Sequence, residues 1–232
     1  MPSITPHTAR PCRLRSPAAR LLLTALALTA AAVCWRPASA AEVNLSGTGS
    51  FKPPSAQQLA SLPAELAFSR SDLESGKWSF AVRYEDSTPD ADPDAYVGRY
   101  VGAIRAMHLT VGNTTLELPA EQALVLVSDG GAGVPHRESI RLEARSAAPY
   151  GVISVAWVQL HQPAGWADLR GKVGALTSDA MPAPAAMAGL ATASRFDRFL
   201  QLRIDRPGGE SQPLLYLSSS KLSVLSGPAA AP

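Results

Sequence analysis

The stretch KWSFAVRYE (Lys77–Glu85) decides the fold. Trp78, Phe80, Val82 and Tyr84 alternate with Lys77, Ser79, Ala81, Arg83 and Glu85. Successive side chains of a strand leave opposite faces, so this period of two puts four large residues on one buried face. Downstream, YVGAIRAMHLTVG (100–112) predicts a second strand, with Ile104, Ala106, His108 and Thr110 opposite Met107, Leu109 and Val111. NTTLELP (113–119) predicts its hairpin partner, turned at Gly112-Asn113, where glycine supplies the positive φ that tight hairpins need. The series continues through ALVLVSD (123–129), ESIRLEAR (138–145), GVISVAWVQL (151–160), FLQLRID (199–205) and PLLYLSSSKLSVLS (213–226).

Upstream, VNLSGTGSF (43–51) predicts a first strand. The near-continuous apolar run 151–160 predicts a central strand covered on both sides. Pro63 interrupts the helical spacing of Leu59, Leu62 and Leu66, so 52–76 predicts one short helical turn at most. Segment 165–198 is less regular. Many short strands between turn signals, without alternating long amphipathic helices, predict an all-β chain: an antiparallel β-sandwich or jelly roll.

The ends set the organisation. Arg10, Arg13, Arg15 and Arg20 precede the apolar run LLLTALALTAAAVC (21–34) and the small residues Ala38 and Ala40. This pattern predicts a signal peptide over 1–40, export to the periplasm or beyond, and a run too short to span a bilayer. Acylation at Cys34 is the minor alternative, disfavoured by Val33 directly before it. Cleavage would leave a single domain over 41–226 and a disordered tail over 227–232. It would remove both cysteines, excluding disulfides and thiolate chemistry. It would also leave 16 basic against 19 acidic residues, a net charge of −3 instead of +2, so nothing points to nucleic acid.

The most suggestive stretch is YEDSTPDADPDAYVGRY (84–100). Asp86, Asp90, Asp92 and Asp94 are candidate ligands for Ca2+, a cation that takes six to eight oxygens. The helix–loop–helix calcium pattern fails, because Ala95 and Val101 replace its glycine and its bidentate glutamate. The competing expectation is a solvated turn, since Asp and Pro are turn residues. Trp166, in QPAGWADLRG, is the candidate ligand-binding platform for a sugar face. His108, His136 and His161 sit in no nucleophile–base motif, and Glu117, Glu138 and Glu143 read as the outward charges of a sheet, so no catalytic residue is assigned.

Residues 87–118 resemble a segment of exported bacterial proteins of the PEP-CTERM type, through Tyr84, Asp86, Pro89, Asp90, Pro93, Gly98, Tyr100, Ala103, Ile104, Val111 and Gly112. Residues 175–204 are similar to a later segment, through Leu176, Ser178, Asp179, Pro182, Phe196 and Asp197. The Pro-Glu-Pro motif, apolar helix and basic end of the sorting signal do not follow in this sequence. The resemblance implies a β-rich exported domain connected with extracellular polysaccharide, and it transfers no catalytic residue. The expected function is a non-enzymatic structural or interaction module, with polysaccharide or another envelope protein as partner. A glycan hydrolase and a calcium-stabilised binding module are the alternatives.

Overall fold

A computed structural model describes residues 42–130, 135–162, 168–170, 176–208, 212–219 and 222–228. Among the described residues there are eleven strands: β1 (Glu42–Ser50), β2 (Lys77–Glu85), β3 (Val97–Val101), β4 (Ile104–Val111), β5 (Thr114–Leu118), β6 (Ala123–Asp129), β7 (Glu138–Ala148), β8 (Gly151–His161), β9 (Asp197–Asp205), β10 (Leu215–Ser219) and β11 (Leu222–Pro228). They form two antiparallel sheets, in the orders β11-β1-β2-β4-β5 and β10-β9-β8-β7-β6-β3. The chain is a β-sandwich. Strands β6 to β10 follow one another as a meander within the larger sheet.

The alternation in β2 does what its period dictates. Trp78, Phe80, Val82 and Tyr84 are buried, and Lys77, Ser79, Ala81 and Arg83 are exposed. The facing sheet contributes Ile140, Leu142, Ile153, Val155, Trp157, Leu200 and Leu202 to the same core. Phe80 stacks on Trp157 across the sandwich, with ring centroids 5.0 Å apart and planes 21° apart. Such pairs add about 0.5–1.5 kcal/mol beyond the area they bury.

The stretch 100–112, expected as one strand, is two. β3 ends at Val101 in the larger sheet, and β4 starts at Ile104 in the smaller one. Gly102 and Ala103 carry the chain across. The apolar pattern runs on through this crossing because both strands face one core. A second irregularity explains Ile104. The β2–β4 register shifts at Arg83/Tyr84, where Arg105 is left without a paired residue. This bulge turns Ile104 inward although its parity matches the half-buried Ala106 and His108.

Two short helices lie between β1 and β2, where one turn was expected: α1 (Ala56–Ala60) and α2 (Arg70–Ser75). Both open on capping boxes, Ser55 with Gln58 and Ser69 with Asp72, in which side chain and backbone bond reciprocally. Asp72 then reaches the β4–β5 hairpin. It accepts the Asn113 backbone N–H at 2.8 Å and the Thr114 hydroxyl at 2.8 Å. These bonds, with Ser69, push its pKa down to about 2. Gly112 has the expected positive φ, 59°, and a Cβ there would lie 2.2 Å from Asp72 Oδ1.

The irregular segment holds α3 (Pro184–Thr192). It packs against β1 and β11, and its Leu190 carbonyl accepts Gln159 Nε2 of β8 at 3.0 Å, joining the two sheets. The expected boundary at 226 also shifts. Gly227 and Pro228, assigned to a tail by sequence, pair with Asn44 and Val43 as the end of β11. No helix among the described residues is long and apolar enough to cross a membrane.

Candidate functional site

Three aspartates of the acidic loop, Asp90, Asp92 and Asp94, bond backbone N–H groups of the loop and of the strand that follows it. Asp90 Oδ1 accepts the N–H of Asp92 at 2.9 Å and of Arg99 at 2.7 Å. Asp92 Oδ1 accepts from Asp94 at 3.0 Å, and Asp94 Oδ1 from Tyr96 at 2.9 Å. Each aspartate closes a turn two residues on, which is the geometry its short side chain favours. Glu85 is engaged by Arg105, whose hydrogen bond holds it below the ordinary carboxylate range. Among the described residues, no three His, Cys, Asp or Glu side chains gather as a metal-ligand group. The structure therefore does not bring Asp86, Asp90, Asp92 and Asp94 together as the expected cation site.

The loop also supports the segment after β8. Tyr100 donates its hydroxyl to the Asp179 carbonyl at 2.8 Å, and Tyr84 donates to the Pro182 carbonyl at 3.4 Å. A Cβ at Gly98 would lie 2.3 Å from the Asp179 carbonyl oxygen, so glycine permits the approach. Burial first, then the charges of Asp90 and Asp94, raise the Asp179 pKa.

The three glutamates do not form an opposed catalytic pair. Glu117 is exposed on β5 and sits 3.9 Å from His108. Glu138 and Glu143, five residues apart on β7, leave opposite faces of the strand. Glu138 is fully buried; one oxygen lies 2.6 Å from His161 Nδ1 and the other accepts the Leu176 N–H at 3.1 Å. With both oxygens used, this pair ties the end of β8 to the returning chain. Trp166 lies outside the described residues.

A concave site lies on the outer face of the six-stranded sheet, over β7 to β10, with a volume of ≈ 910 Å³. Register builds it. Arg145 pairs with Ser154, Ser154 with Arg203, and Arg203 with Tyr216, giving one row across four strands. The adjacent row runs Glu143–Ala156–Gln201. In these two rows the outward positions of central β8 are thus small, Ser154 and Ala156, with the exposed Val152 beyond them, while long side chains rise from β7 and β9 on either side. β8 is central, as expected, but it is not covered on both sides. Its outer face is this groove.

Four arginines, Arg141, Arg145, Arg203 and Arg206, line the groove against two acids, Glu143 and Asp205. Glu143 has a side chain only 7% exposed and lies between Arg141 Nε at 2.5 Å and Arg145 Nε at 2.7 Å. Burial opposes its ionisation, but the two guanidinium groups outweigh that, and its pKa is lowered. Arg203 Nε bonds Asp205 at 2.6 Å. Tyr216, 47% exposed, has its hydroxyl held by Gln201 Nε2 at 3.1 Å.

In the sequence Glu143 reads as an outward charge and the arginines beside it carry no signal, because outward charges at alternate positions describe any solvated sheet. The signal was the small Ser154 and Ala156 inside an otherwise bulky strand, which gains meaning only with the neighbours' register. No protein-family model, curated protein or solved structure matches the chain significantly.

Proposed function

We propose that this chain is an exported, non-enzymatic interaction module that binds polysaccharide in the groove over β7 to β10. The carrying observation is the groove itself, an open trough with small residues at its floor and Tyr216 at its end. Open troughs admit extended polymers, and a half-exposed aromatic ring offers a flat apolar face to a sugar ring. Ser154 and Gln201 add neutral hydrogen-bonding groups suited to hydroxyls. The export signal predicted from sequence and the resemblance to exported proteins connected with polysaccharide point to the same setting. The two acids of the groove, Glu143 and Asp205, are each bonded to arginine, which favours binding over hydrolysis, since glycoside cleavage needs one acid that carries a proton.

The test is affinity electrophoresis of the purified protein through gels containing the producer's own polysaccharide, followed by assay of the polysaccharide for new reducing ends. Retardation without new reducing ends is the expected result, with retardation weakened in Tyr216→Ala. Release of reducing ends would move the protein to the hydrolase alternative. Normal migration in every gel would remove the polysaccharide reading.

A further inference from the structure

We infer that the groove selects acidic glycans, with Arg145 and Arg203 each taking a sugar carboxylate; this rests on the polysaccharide reading above. The reason lies in how the guanidinium groups are held. Arg145 bonds the protein through Nε to Glu143, and Arg203 through Nε to Asp205, each two residues along its own strand. Among the described residues neither makes a further side-chain hydrogen bond. A guanidinium carries one donor at Nε and four on its two terminal nitrogens. Tethering through Nε therefore fixes the plane of the group and leaves the fork at its far end for a ligand. That fork matches a carboxylate bidentately, which a lysine does not do.

The tether also matters energetically. A free arginine loses rotamer freedom when it binds, and an arginine already held by its neighbour loses less. Both side chains remain about half exposed, 58% for Arg145 and 45% for Arg203, so a ligand reaches them without displacing protein.

Spacing favours a polymer. Arg145 and Arg203 sit on one row with Ser154 between them, two strand spacings or roughly 10 Å apart at the backbone. Two presented forks separated by a small neutral residue suit charges that recur along a chain. The floor argues for sugar over protein. A protein interface needs a central cluster of desolvated aromatic or aliphatic anchors. Between Arg145 and Arg203 stands Ser154, with Ala156 and Gln201 in the next row; the exposed apolar side chains Val152 and Tyr216 lie on different strands and form no central cluster.

The experiment compares polygalacturonate with its fully methyl-esterified form, which has the same backbone without charge, by isothermal titration against the full chain. Single-stranded oligonucleotide of similar charge is the third ligand. Tight binding to polygalacturonate, weakened on the order of 10-fold or more by esterification and again by Arg145→Ala/Arg203→Ala, is expected, because charge-assisted forks are the stronger class of hydrogen bond. Arg203→Lys, which keeps the charge and loses the fork, should recover only part of the affinity. Melting of each variant near the parent midpoint shows that folding is intact. Equal binding to both forms, unaffected by the variants, would overturn the acidic preference and leave the polysaccharide reading standing. Binding to neither form would sink both. Tighter binding to the oligonucleotide would overturn the assignment to glycans.

Discussion

Asp90, Asp92 and Asp94 each accept a backbone N–H of their own loop, whereas Arg145 and Arg203 touch the protein through Nε and extend outward. In sequence the first region is conspicuous and the second is not. In space the conspicuous charges are consumed and the inconspicuous ones are presented. Side-chain length accounts for the difference. An aspartate carboxylate one carbon from its backbone finds neighbouring N–H groups before any solute does. A guanidinium at the end of three methylenes passes its own backbone and meets the next outward residue instead.

The comparison is sharpened first at Asp72, which spends its carboxylate inward most completely. Its folded pKa, about 2, lies below the ordinary 3.8, so the stabilisation it gives is complete above about pH 4 and is lost as pH falls toward 2. A thermal-unfolding series from pH 5 down to 2.5 should show a falling midpoint, and Asp72→Asn should start lower and fall less. Identical pH profiles for parent and variant would contradict this role.

Next in size is Asp90→Ala, which deprives the Asp92 and Arg99 N–H groups of their acceptor. A loss of about 1 kcal/mol is expected, lowering the midpoint by roughly 2–4 °C. Arg203→Ala should be smaller still, within about 0.5 kcal/mol, because its partnership with Asp205 is an exposed one. If Arg203→Ala destabilised more than Asp90→Ala, the contrast between consumed and presented charge would collapse.

The smallest expected effect is that of calcium. Melting in excess EDTA and in millimolar calcium should give one midpoint. A site filled at 100 times its Kd would add about 2.7 kcal/mol, which such a scan resolves easily. A calcium shift abolished by Asp90→Asn/Asp92→Asn would reverse the reading of the loop.

Much of the fold is legible in alternation alone. Trp78, Phe80, Val82 and Tyr84 face inward because no other arrangement of that period hides them. The break between β3 and β4 is not legible, since Tyr100 and Ile104 are both buried although their strands belong to different sheets. Nor is the bulge at Arg105, which one residue of register creates. Capping boxes at Ser55 and Ser69 were written in the sequence, yet Pro63 between them masked two helices as one turn. The groove was the least readable feature. Ser154 is an ordinary outward serine until β7 and β9 place an arginine on each side of it.

The pairing of β1 with β11 sets how the sandwich would respond to force. Val43 lies opposite Pro228 and Gly49 opposite Leu222, so the start of one strand and the end of the other emerge at the same end of the pair. Tension applied between Val43 and Pro228 acts along the inter-strand hydrogen bonds, perpendicular to the strands, and loads them one after another. β11 would peel from the sheet edge like a zipper at low force, leaving β1 as a newly bared edge able to pair with another strand. A chain anchored through those two ends would yield first at its last strand, while the six-stranded sheet and its groove stayed closed.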